Sequence, residues 1–241
     1  METYLHFGIF IFLVNFLRYL VIAGIFFYIF YIFLKKSERF KKLQPRFPQW
    51  KDYRREILFS TISCVVFGVV GWIAYKTPFF EFSLAYKNIS DYPIWYFWLS
   101  IVLMIILHDT YFYWTHRLIH HKALFKYVHA VHHKSFNPSP WAAFSFNLSE
   151  AILNALFQLI LMLIIPTHLY AIGVFYLISL IINVYGHLGY EILPNGIDKH
   201  WLGRWINTST AHNFHHHYNK GNFGFYFTFW DRWMGTYMKQ L

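Results

Sequence analysis

Fifteen histidines stand in this 241-residue chain, seven of them between positions 108 and 133 and four between 212 and 217. Their spacing suits chelation. His116 and His120 are four apart, His129, His132 and His133 stand at i, i+3 and i+4, and His212, His215 and His216 repeat that pattern. On an α-helix such residues are neighbours, with Cβ atoms about 5–6 Å apart, so each set points its imidazoles from one face and two of them can hold one metal ion. A lone histidine is more often a core or interfacial side chain, and His6, His168 and His200 are read that way. Without metal, three such sets would bury many donors and acceptors with no evident partner, at roughly 1–3 kcal/mol each. His187 joins them because it lies where the last apolar segment returns to the same membrane side. The candidate metal ligands are therefore His116, His120, His129, His132, His133, His187, His212, His215 and His216.

Three further residues, His108, His121 and Asn183, are possible additional ligands. Asn183 precedes His187 by one turn and is read equally well as a polar helix-end residue. His108 lies about 80° around a helix from His116, whereas Asp109 lies within about 20° of both His116 and His120. Asp109 is thus the better aimed, as an acceptor that fixes an imidazole tautomer. Nine imidazoles exceed what one transition-metal ion takes, so two ions are implied, and imidazole alone does not distinguish iron from zinc, copper or nickel. No His-Glu-x-x-His occurs, which argues against the common zinc hydrolase pattern. A transporter would place its ligands near the bilayer midplane. A histidine-rich two-metal site opening onto lipid is what oxygen activation against an unreactive C–H bond needs.

Those residues must be positioned by a membrane scaffold. The chain is 57% hydrophobic and 24% aromatic against 13% charged, and its mean hydropathy is +0.33, beyond what a soluble surface tolerates. The expected architecture is all-α, with about four to five transmembrane or re-entrant helices and a cytoplasmic histidine-rich helical cap. Apolar runs cover Phe7 to Leu34, Ile57 to Tyr75 and Ile94 to Leu107, the last continuing as helix through His120. Ala151 to Ile165 and Leu169 to Tyr185 form a helical hairpin about Pro166-Thr167, with the first arm marginal for a full crossing. Arg18, inside the first run, costs about 2.5–3.5 kcal/mol on insertion scales and is read as packing. No strand pattern competes, and Phe223 to Phe229 reads as irregular or helical cap. Cys64 is the single cysteine, so there is no disulfide framework.

The net charge of +10 fits an anionic lipid surface better than nucleic acid in so apolar a chain. Nine of the 21 basic residues crowd between Lys35 and Glu56, which places that loop, and with it the histidine cap, in the cytoplasm. We expect two regions of one continuous membrane domain: residues 1–91, with the N-terminal helices and basic loop, and residues 92–241, with the catalytic part.

The stretch His108-Asp109-Thr110-Tyr111-Phe112-Tyr113-Trp114-Thr115-His116-Arg117-Leu118-Ile119-His120-His121, followed by His129-Ala130-Val131-His132-His133, resembles the fatty acid hydroxylase and sterol desaturase superfamily. So does His212-Asn213-Phe214-His215-His216, with Asn222-Phe223-Gly224 and Phe229-Trp230-Asp231-Arg232-Trp233-Met234-Gly235-Thr236 behind it. The boxes match His-x-x-x-His and two copies of His-x-x-His-His, and His187 matches an extra histidine on the last transmembrane helix. The resemblance covers about Tyr92 to the C-terminus. Two departures stand out: relatives with a longer first box would use His121 in place of His120, and some relatives carry a histidine where this chain has Asn183.

The resemblance implies a membrane-embedded non-haem di-iron oxygenase. Two iron ions, with zinc as a substitute, would use O2 to hydroxylate or desaturate a sterol-like or fatty acyl lipid. Electrons would come from a separate reduced carrier, ferredoxin-like or like a b-type cytochrome. The alternative is a zinc-dependent membrane hydrolase or a metal-binding protein without O2 chemistry. Trp141, Phe144 and Phe146 are read as part of an aromatic-rich interfacial cap, with a lipid entrance as the alternative, Glu150 is explained by its place at a helix N-terminus, and Trp230-Asp231-Arg232 is read as tying the tail to the cap by a charge pair. Neither a fused carrier domain nor a C-terminal retention signal is evident, which favours a bacterial inner membrane over the ER membrane.

Overall fold

A computed structural model describes residues 2–37, 40 and 42–238, with side chains from His6 onward, so Arg39 and Lys41 of the basic segment lie outside the described residues. Among the described residues ten α-helices follow one another: α1 (Glu2–Phe27), α2 (Trp50–Lys76), α3 (Phe79–Phe82), α4 (Ile94–Ile119), α5 (Lys122–Val128), α6 (Ala130–His133), α7 (Leu148–Ile164), α8 (Leu169–Gly186), α9 (Ser209–Tyr218) and α10 (Phe229–Trp233). Among the described residues, four segments are long and apolar enough to cross a membrane: His6–Phe33, Trp50–Lys76, Ile94–Ile119 and Leu169–Gly186. The fold is thus an all-α membrane protein, as expected. The first span ends in a π-helical turn, Tyr28–Phe33. With 17 residues, α7 is shorter than the four long helices.

Local sequence sets the boundaries. Proline cannot continue a helix from within but favours its start, and α3 and α4 begin directly after Pro78 and Pro93. Gln49 and Asp52 cap each other's backbone at the start of α2, and Asn147 caps α7 by accepting from Ser149 N–H. The hairpin about Pro166-Thr167 forms, with one difference from the expected all-helical pattern. Thr167–His168 (β2) pairs in parallel with Ala85–Tyr86 (β1), because the loop between α2 and α4 lies against the connection and supplies acceptors. His168 is structural there: Nδ1 accepts from Tyr170 N–H and Nε2 donates to the Lys87 carbonyl.

Two apolar layers hold the bundle. Met104, Phe157, Leu161 and Phe175 join α4, α7 and α8, while Tyr19, Ala23, Cys64 and Leu180 join α1, α2 and α8. Burying side chains of this size stabilises by about 1.5–3 kcal/mol each in water; in a bilayer, close packing takes over that role. Gly68 shows how close: a Cβ there would sit 3.1–3.2 Å from Phe12 of α1. The segment after α1 folds over the histidine-bearing end. Lys42 Nζ donates to Asn137 Oδ1 at 2.8 Å, Gln44 to Asn213 at 3.1 Å and Arg55 to the Lys134 carbonyl at 3.0 Å. Basic loop and histidines therefore share one end of the bundle.

Candidate metal centre

All nine candidate imidazoles converge, in two groups. His116, His120, His129, His133 and His215 form one, and His132, His187, His212 and His216 the other, with the potential ligand atoms of each group within 4.8 Å of one another. The sequence boxes do not map onto the groups one to one. The i, i+4 pairs of the second and third boxes stay together, while the i+3 histidine of each, about 100° around a helix from its i+4 neighbour, turns to the other group. His132 leaves His129 and His133 for the second group, and His215 leaves His212 and His216 for the first. The middle box is also not one helix: His129 ends α5 and begins α6.

The hydrogen bonds fix which nitrogen faces inward. A carbonyl oxygen only accepts, so a ring nitrogen bonded to it carries the proton. Nδ1 of His116 donates to the Phe223 carbonyl (2.9 Å), His132 to Ser145 (3.3 Å), His187 to Asn183 (2.8 Å) and His215 to Gly221 (2.7 Å). His129 Nδ1 lies 2.7 Å from Glu150 Oε1, and both residues are buried. In each of these the Nε2 lone pair is left to face the group, the arrangement that orients histidine ligands in metal sites.

Facing Nε2 atoms approach closely: His116 and His129 at 3.1 Å, His120 and His133 at 3.2 Å, His132 and His187 at 3.2 Å, and His212 and His187 at 3.0 Å. With the protons held on Nδ1, a pair such as His116–His129 or His132–His187 has no hydrogen to share. Lone pairs so placed repel unless a cation lies between them, and ligands about 2.1 Å from one ion at right angles stand about 3 Å apart. His215 Nε2 is buried without a hydrogen-bond partner. The donor set therefore fits two metal ions.

Burial also keeps these rings neutral. Burial pushes His120 down to about 2, helped by the nearby His215 imidazole, and holds His187 and His215 at about 4 despite their bonds to carbonyl oxygens. Burial first and neighbouring imidazoles second hold His129, His132, His133, His212 and His216 well below the usual histidine value. Neutral imidazole is the form that binds metal.

The other candidates fall outside both groups. His121 is exposed and caps α5 by accepting from Ala123 N–H, so His120 occupies the first-box position in the group. His108 Nδ1 pairs with the Tyr226 hydroxyl at 2.9 Å. Asn183 donates its side-chain amide to the Ala143 carbonyl, and its backbone carbonyl receives His187. Asp109 does not hold an imidazole, contrary to its helical angle. Its Oδ1 accepts the backbone N–H groups of Phe225, Tyr226 and Phe227 at 2.7–3.3 Å, because the C-terminal tail folds back over α4 and its unpaired N–H groups reach the carboxylate first. Asp231 likewise binds the backbone of Phe223 and Gly224, while Arg232 bonds the Arg204 carbonyl, so the expected charge pair is absent from the described contacts.

Glu150, for which a helix N-terminus is a sufficient reason in the sequence, also backs His129. Its signal was position: it is the only acidic residue between Asp109 and Glu191, at the mouth of an apolar helix. Beyond the groups lies a cavity of about 550 Å³ between α1, α2, α4, α7 and α8. Phe112 and Phe146 line it and also pack on His116 and His132, at ring-centroid distances of 4.9 and 5.2 Å. Phe144 and Phe146 border the cavity, while Trp141 packs on Tyr19 and Phe27.

The family model for fatty acid hydroxylase matches residues 101–236, which contain every one of these imidazoles. The chain belongs to the fatty acid hydroxylase family. Among curated relatives, a Delta(7)-sterol 5(6)-desaturase of Gibberella zeae is 29% identical over 91% of this chain and 64% of its own length. Human lathosterol oxidase is 27% identical over 90% of this chain and 74% of its own, and methylsterol monooxygenase 1 of Danio rerio is 30% identical over 81% and 66%. Against three fungal Delta(7)-sterol 5(6)-desaturases the chain spans 64%, 53% and 56% of their length. No solved structure matches it.

Proposed function

We propose that this fatty acid hydroxylase family member is an oxidoreductase that uses two iron ions and O2 to hydroxylate or desaturate a membrane lipid, sterol-like or fatty acyl. The observation that carries this reading is the pair of imidazole groups of five and four, set behind the aromatic wall of a lipid-sized cavity. His116, His120, His129, His133 and His215 would hold one ion, and His132, His187, His212 and His216 the other. Iron held there supplies the redox chemistry by which O2 attacks an unactivated C–H bond. The chain's own part is positional. Glu150 and the four carbonyls keep Nδ1 protonated and Nε2 aimed inward, and Phe112 and Phe146 separate the imidazoles from the cavity and exclude bulk water.

Electrons come from a separate ferredoxin-like or b-type-cytochrome-like carrier, for which the basic end around Lys42 and Arg55 is a complementary surface. By the same reading the catalytic region is residues 92–241, in one membrane domain with residues 1–91, and the histidine end faces the cytoplasm. The names of the relatives support a sterol or related lipid as substrate. The test is anaerobic reconstitution with ferrous iron, followed by O2 and a chemical reductant in the presence of membrane lipids. Mass spectrometry should find lipid that has gained one oxygen or lost two hydrogens, in amounts that depend on iron; lipid unchanged by the iron-loaded protein would refute the reading.

A further inference from the structure

Arg18 was read from the sequence as packing, and its surroundings do not satisfy it. It lines the cavity from α1. Its Nη2 donates to Asn15 Oδ1 at 2.7 Å, its Nε is buried with no partner, and among the described residues no carboxylate pairs with it. A guanidinium held between apolar helices is costly unless acceptors meet it, and ionisable side chains inside membranes commonly mark a ligand path. Asn154 and Gln158 add polar groups to the same cavity.

Depth decides the orientation of a bound lipid. The α1 residues lining the cavity run from Phe7 to Arg18, roughly 16 Å of helix, and Arg18 is the one nearest the histidine end. Its neighbour Tyr19 reaches His132 in three ring steps, through Phe144 and Phe146, at centroid distances of 5.7, 6.4 and 5.2 Å. On the other side of Arg18 the cavity runs toward Phe7, Phe80 and Tyr170, with Lys76 and Lys87 lying over the Phe7 and Phe80 rings at 4.6 and 4.7 Å.

We infer that Arg18 receives the oxygen-bearing end of a lipid, a hydroxyl or a carboxylate, which enters polar end inward with its hydrocarbon body directed away from the histidines. This rests on the proposed lipid chemistry of the site and adds the orientation and a specificity residue: oxidation falls on carbons near the polar end. Arg18 is a positioning residue, acting on the substrate's head.

Equilibrium binding to the full chain in detergent tests this without turnover, so a failure of the iron and O2 reading leaves the result interpretable. The probes are lathosterol against its 3-deoxy analogue, which lacks the accepting oxygen, and palmitate against its uncharged methyl ester. Wild-type protein should bind at least one of lathosterol and palmitate about tenfold or more tightly than its altered partner, the loss expected for a charge-assisted hydrogen bond. The pair that discriminates tells whether hydroxyl or carboxylate is the natural head. Arg18→Gln should bind both members of that pair alike, and Arg18→Lys should restore part of the preference. Gly173→Leu fills open space in the outer cavity and should weaken all probes together. Equal binding of both pairs by wild-type protein, or a preference that survives Arg18→Gln in protein of unchanged size-exclusion profile and metal content, would overturn the inference.

Discussion

The two imidazole groups use the same ligand type but are built differently. The group of five includes half-buried His120 and is backed by a carboxylate, since Glu150 bonds His129. All four members of the other group are buried, and His132 and His187 are backed only by backbone carbonyls. A carboxylate behind an imidazole raises its basicity and offsets cationic charge, whereas a carbonyl only orients it. The first group should therefore bind a dication more tightly. Both groups touch the cavity wall, the first through Phe112 on His116 and the second through Phe146 on His132. One ligand chemistry thus yields two unequal sites through the groups one shell further out.

Removing a hub should break this comparison most severely. His187 Nε2 meets those of His132, His212 and His216 at 3.0–3.3 Å. His187→Ala should abolish turnover and reduce bound metal to about one ion per chain, with the group of five still loaded, as read by elemental analysis. His215→Ala should do the reverse, emptying the group of five, and full activity in either variant would refute the ligand assignment.

A milder change sharpens the contrast. Glu150→Gln keeps an acceptor for His129 but removes the charge, and changes to such supporting residues typically cost 10–100-fold in affinity or activity. Competition with a chelator should show weaker binding of one ion and unchanged binding of the other. Equal weakening of both would show that the carboxylate does not distinguish the groups.

Smaller effects are expected away from the imidazoles. Asp109→Ala leaves backbone N–H groups at 225–227 unpaired, a loss of about 1–3 kcal/mol, and should lower the melting temperature in detergent while metal stoichiometry stays at two. His121→Ala, at an exposed helix cap, should leave metal content and turnover unchanged; loss of a metal there would exchange its role with that of His120.

The spans and the nine converging imidazoles were legible because hydropathy and helical periodicity are local properties. The partition into two groups was not. It depends on how α5, α6 and α9 lean against one another, and a break at His129 alters the face each residue presents. Asp109 had the right helical angle, yet its partner was decided by the tail folding back from more than a hundred residues away. Glu150 and Arg18 each had a sufficient local explanation, a helix terminus and a membrane helix, and only the fold placed one behind His129 and the other beside a cavity. Side-chain type and spacing announced the ligands, while the groups that tune them became visible only in three dimensions.

The central claim is that this family member carries two metal ions in two unequal imidazole groups. Metal analysis with Mössbauer spectroscopy on detergent-purified protein from iron-supplemented cells tests it most directly. About two irons per chain are expected, magnetically coupled, in nitrogen-rich surroundings with two distinguishable quadrupole doublets. Zinc alone, with neither iron uptake nor lipid oxidation after anaerobic reconstitution, would contradict it and move the site's chemistry to hydrolysis or metal handling.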